Sequence, residues 1–66
     1  MEFRRVQYFN INSYAWVDIL MRDLKSGMLF RMFEDKEPVV FDGNTHLLAT
    51  SNGYINSMGI DEVEMI

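Results

Sequence analysis

The chain contains no cysteine, and in 66 residues that absence is the strongest constraint on what it can fold into. Neither a disulfide nor a cysteine-ligated zinc is available to staple a small core. A chain of this length buries only about 60% of the surface its unfolded form exposes. Stability must therefore come from close packing of apolar and aromatic side chains, or from association with another chain. The material for packing is present, at 48% hydrophobic and 14% aromatic, which excludes a disordered chain or solvated tail. The length accommodates one small domain, residues 1–66. No run approaches the roughly 18 apolar residues of a membrane span, and the N-terminus lacks the apolar stretch of a signal peptide. The expectation is a cytoplasmic globular protein with no membrane partner.

The formal net charge of −4 conceals a division. All six basic residues (Arg4, Arg5, Arg22, Lys25, Arg31, Lys36) stand against five acids in the first 36 positions, giving +1. From Glu37 onward there are five acids (Glu37, Asp42, Asp61, Glu62, Glu64) and no base, giving −5 and the total of −4. Unbalanced charge of this kind steers partners more than it shapes a fold.

Periodicity predicts the elements. Residues 2–9 mix Phe3, Val6, Tyr8 and Phe9 with arginines in the manner of a strand. Asn10, Asn12 and Ser13 favour a turn and then a helix N-cap. Val17, Leu20, Met21 and Leu24 at i, i+3, i+4 and i+7 predict an amphipathic helix over about 13–25. An Asp18–Arg22 pair would support it, with Gly27 beyond its end. Met28 to Phe33 alternates with both faces largely apolar, as a central strand covered on both sides. Pro38 closes it; Asp42-Gly43 signals a hairpin between short strands at 39–41 and 45–50. Ser51-Asn52-Gly53 is a further turn, and 61–66 alternates Val63 and Met65 against Glu62 and Glu64. The expected fold is α+β: an N-terminal strand, one helix burying Trp16, Val17, Leu20 and Leu24, and an antiparallel meander of three to five short strands. A curled SH3-like or OB-like small barrel is the neighbouring architecture.

Catalytic patterns are missing. His46 is the sole histidine, no G-x-S-x-G elbow surrounds Ser13, Ser26, Ser51 or Ser57, and the glycines form no phosphate cradle. Asp42, Asn44 and His46 have a spacing that suits a metal, but turn formation alone accounts for the first two. The expectation is a protein that is not an enzyme and uses no metal or cofactor.

Two binding surfaces remain. The acid-only half offers Glu37, Asp42, Glu62 and Glu64 to a protein partner with a basic surface, although glutamate on an exposed strand is ordinarily a solubility device. The N-terminal segment interleaves Arg4 and Arg5 with Tyr8 and Phe9, as single-stranded nucleic-acid sites do, against the opposition of an acidic chain. The six methionines suit core filling or an adaptable interface. Residues 23–51, with Asp23-Leu24-Lys25-Ser26-Gly27 running into an apolar strand and then Asp42-Gly43-Asn44-Thr45, resemble small phage and prophage accessory proteins. That resemblance implies a host-interaction role and carries over no catalytic residue. The function expected is non-catalytic, inhibitor-like docking on another macromolecule, with single-stranded nucleic acid as the alternative ligand. A homo-oligomer is expected as well, since a short β-rich domain gains core and covers an edge by pairing with itself.

Overall fold

Asn10 begins a tight turn, and what leaves that turn is a strand, not a helix. The computed structural model describes residues 4–66. Strand β1 (Arg4–Asn10) reverses through residues 11–14 and returns as β2 (Ala15–Asp18), with Tyr8 opposite Val17 and Asn10 opposite Ala15. The Asn12 N–H donates to Asn10 Oδ1 at 2.9 Å, and Tyr14 takes a φ of 53°. Such a local side-chain bond stabilises a turn in competition with a helix N-terminus.

The α+β expectation is thereby overturned. The only helical piece among the described residues is a 3-10 turn, Met21–Asp23, and the fold is small, antiparallel and all-β. Two patterns compete in residues 13–25. The helical stripe exists, but Trp16, Val17 and Ile19 are aromatic or β-branched. Residues 15–19 also set the aliphatic Ala15, Val17 and Ile19 on one face at period 2. A lone helix of that length is marginal in water, whereas a hairpin gives β1 a second hydrogen-bonded neighbour. The burial expected of the helix changes with it. Leu24 is fully buried, while Val17 and Leu20 are exposed and Trp16 lies half-buried on another face. The Asp18–Arg22 pair does not form: Asp18 binds Arg5, and Arg22 binds Asp61.

Strand β3 (Leu29–Glu34) pairs with β1, Val6 standing opposite Met32, and carries β4 (Glu37–Pro38) and β5 (Leu47–Leu48) along its other side. The sheet order is β2-β1-β3-β4, with β5 also on β3. Asp35 and Lys36 join β3 to β4, both at positive φ (48° and 74°), the backbone of a two-residue turn whose twist matches its strands. The Asp42-Gly43 turn has the same signature, closed by reciprocal Phe41–Asn44 backbone bonds of 2.9 Å. The stretch at 45–50 does not return along 39–41 as expected. Leu47 instead pairs with Phe30, because β3 offers a longer ladder and a buried site. A second, two-stranded sheet joins β6 (Tyr54–Ile55) to β7 (Asp61–Glu62).

One face of the large sheet holds the core: Val6, Phe30, Met32 and Leu47, closed over by Met21, Leu24, Ala49 and Val63. The C-terminal residues seal one margin, Leu48 and Ile66 exchanging backbone bonds of 2.9 and 3.0 Å. No helix among the described residues is long and apolar enough to cross a membrane.

A candidate docking face on the open side of the sheet

Strand alternation assigns every side chain of β1, β2 and β3 to one of two faces. Arg4, Val6 and Tyr8, opposite Glu34, Met32 and Phe30, lie on the core side. The other face takes Arg5, Gln7 and Phe9 from β1, Trp16 and Asp18 from β2, and Leu29, Arg31 and Phe33 from β3. The core cluster draws no residue from this second face. The expectation that β3 is covered on both sides is therefore corrected. An arginine at its middle position marks the open side.

Arg31 is the centre of that face. Its guanidinium carbon lies 4.3 Å from the centroid of the Trp16 ring and 5.3 Å from that of Phe33. Its Nε donates to Gln7 Oε1 at 3.0 Å, and Gln7 Nε2 donates to Asp18 Oδ1 at 3.1 Å. Asp18 also accepts Arg5 Nε at 2.7 Å and the second Arg5 nitrogen at 3.0 Å. Gln7 is buried with both ends of its amide satisfied. The aromatic floor extends outward: Phe9 meets Trp16 edge-on at 5.3 Å, His46 lies 5.1 Å from Trp16, and Tyr14 meets Phe9 at 6.1 Å.

The electrostatics of the two arginines differ. Hydrogen bonding to Asp18, and then its charge, raise the pKa of Arg5, while Asp18 is held below the ordinary carboxylate value by Arg5 and Gln7. That pair is neutral overall. Arg31 makes no ion pair among the described residues, so its positive charge rests on the rings beneath it. A cation so placed on aromatic faces gains about 0.5–1 kcal/mol and keeps terminal N–H groups free for an acceptor.

The two expected surfaces are each divided. Of the arginine–aromatic segment, Arg5 and Phe9 reach the open face. Arg4 and Tyr8 lie on the core side, where Arg4 is bound to Glu34. Of the four acids, Glu37 sits in β4 opposite Glu34 and Asp42 in a turn, while Glu62 and Glu64 share the C-terminal segment. Glu62 is held by Tyr54 Oη and Asn56 Nδ2, each donating at 2.9 Å. Those bonds, Asn56's first, lower the Glu62 pKa, and the bond to Glu62 raises that of Tyr54. A shallow cleft of about 350 Å³ on the core side is lined by Arg4, Leu20, Met21, Glu34 and Asp61, among others. No cluster of three or more histidine or acidic residues able to hold a metal occurs among the described residues.

Gln7, Trp16, Asp18, Leu29, Arg31, Phe33 and His46 also belong to this face, and sequence patterning did not single them out as a binding surface. One signal was available in Arg31, a charge between Leu29 and Phe33 in a strand otherwise read as wholly apolar. The chain matches no protein-family model, no curated protein and no solved structure.

Proposed function

We propose that this chain is a non-catalytic docking domain that binds another protein through the open face of its large sheet. The observation that carries the reading is Arg31, stacked on Trp16 and Phe33 without an ion pair on an uncovered face. Tryptophan, tyrosine and arginine are the residues that most often anchor protein interfaces. Here Trp16 stacks on Arg31, and a buried Gln7 holds Arg31 in place. The partner surface that fits is apolar with a carboxylate near its centre, which would complete the guanidinium. An accessory, inhibitor-like role in the cytoplasm is consistent with so small a domain. The acidic C-terminal segment then acts on encounter rates with basic regions of the partner and is not the anchor.

Quantitative affinity capture from the native host, comparing wild type, Arg31→Ala and Glu62→Lys/Glu64→Lys, tests this. A protein held by wild type and by the double variant, and reduced at least tenfold with Arg31→Ala, is the expected result. Loss with Glu62→Lys/Glu64→Lys and retention with Arg31→Ala would move the interface to the acidic segment. Saturable quenching of Trp16 by a short single-stranded oligonucleotide at low salt would favour nucleic acid instead.

A further inference from the structure

The hydrogen-bond parity of β2 leaves one specific set of backbone groups open. The Ile19 N–H donates to the Val6 carbonyl at 3.0 Å, and Tyr8 stands opposite Val17 in the same register. In an antiparallel ladder bonded pairs alternate, so Ala15, Val17 and Ile19 point their backbone groups toward β1. Trp16 and Asp18 point theirs outward, where none finds a partner among the described residues. Leu20 continues the extended backbone at φ −75° and ψ 140°.

The other margins of the sheet are closed or blunted. Leu48 spends its outward groups on Ile66, and β4 is two residues long and contains Pro38, which has no N–H to offer. Residues 15–20 carry none of the usual protections of a free edge: no lysine, no proline, and a single charge, Asp18, already neutralised by Arg5.

We infer that β2 pairs with β2 of a second copy of this chain, antiparallel about a two-fold axis through Val17, joining the open faces of the two copies into one. This register sets the outward groups of Trp16 against those of Asp18 in the copy, twice over, with Val17 against Val17. It also brings Tyr14, 82% exposed, beside Leu20 of the copy, 57% exposed, and Ala15 beside Ile19. Centring on Trp16 would instead oppose Asp18 to Tyr14, whose φ of 53° takes it out of the strand. Because directly opposed residues share a face, Asp18 of the second copy lies next to Trp16, and each docking face is bordered by a residue of the other copy. The proposal extends the docking reading but does not require it: Val17 lies at the edge, on the core side, and Arg31 lies on the face.

Sedimentation equilibrium over a wide concentration range, with amide hydrogen exchange read by NMR at both ends of it, tests the inference. The expected result is a species of twice the 7.8 kDa chain mass, with Trp16 and Asp18 amides at least tenfold slower in exchange at high than at low concentration. Val17→Lys, which sets two ammonium groups together on the axis, should return the mass to that of the single chain. Arg31→Ala should leave the dimer intact. A wild-type chain that stays monomeric to millimolar concentration overturns the proposal. So does a dimer in which the Trp16 and Asp18 amides gain no protection, and that reading of the wild type stands even if Val17→Lys fails to fold.

Discussion

Gly53 carries no side chain because the 3-10 turn occupies the space one would need. A Cβ at this position would lie 2.0 Å from the Met21 carbonyl oxygen and within 2.9 Å of the Arg22 backbone. Ordinary C···O contact is about 3.3–3.6 Å, so Gly53→Ala forces the two segments apart by about 1.3 Å or more. Both obstacles are backbone and cannot rotate away. The displacement breaks or stretches the 2.7 Å bond from the Gly53 N–H to the Leu24 carbonyl, and it lifts Met21 and Leu24 from the core. Overpacking of this kind costs about 1–3 kcal/mol, and the hydrogen bond about 1 kcal/mol more. A 66-residue domain has roughly 3–10 kcal/mol in all, so Gly53→Ala removes a large share of it. Urea denaturation followed by circular dichroism is the assay, with m near 1 kcal/mol/M and a midpoint falling by about 2 M or more. Gly27→Ala is the control: it meets open space, and its φ of 92° makes it a purely conformational penalty of about 1 kcal/mol. A Gly53→Ala midpoint within about 0.5 M of wild type would refute the packing of residues 21–24 against 53.

Phe30→Ala, at a fully buried position, should cost about 3–5 kcal/mol and leave little cooperative unfolding; a loss below about 1.5 kcal/mol would contradict the core assignment. The Asp18 carboxyl titrates below its ordinary value of 3.8, so its pair with Arg5 contributes above the unfolded pKa and is lost as pH falls through the folded one. Asp18→Asn should flatten the acid limb of stability against pH, and parallel limbs would count against the pair. Tyr54 is shifted the other way, above 10.0, by its bond to Glu62; that stabilisation is present below the unfolded pKa and disappears as pH rises through the folded one. NMR titration should show Glu62→Gln moving the Tyr54 pKa back toward 10.0, and no movement would refute the contact.

What the sequence revealed of this fold depended on how local the determining physics is. Asp42-Gly43 is a turn because two adjacent residues tolerate positive φ, and no distant contact is needed to read it. Asp35-Lys36-Glu37-Pro38 reads as a turn for its composition, but that both Asp35 and Lys36 take positive φ, with Glu34 paired to Glu37 across them, is visible only in the folded hairpin. The helix expected over 13–25 failed for a related reason. Val17, Leu20, Met21 and Leu24 satisfy the helical spacing, yet the choice between helix and strand was settled by β1, which offered Ala15 to Asp18 a ladder. The docking face followed that error, because Trp16 read as helix core cannot be placed on a sheet beside Arg31. Arg5 and Phe9 were selected as part of a run of four, but strand alternation sends neighbours to opposite faces and leaves Arg4 and Tyr8 behind.

Trp16 is the only tryptophan in the chain and lies directly beneath Arg31 on the proposed docking face. Its fluorescence therefore reports directly on that face. Acrylamide quenching of Trp16, measured in the free protein and in its complex with the captured partner at constant protein concentration, is the decisive measurement. Docking on the open face predicts a severalfold fall in the quenching constant on complex formation, lost with Arg31→Ala. An unchanged quenching constant in a fully formed complex would contradict it.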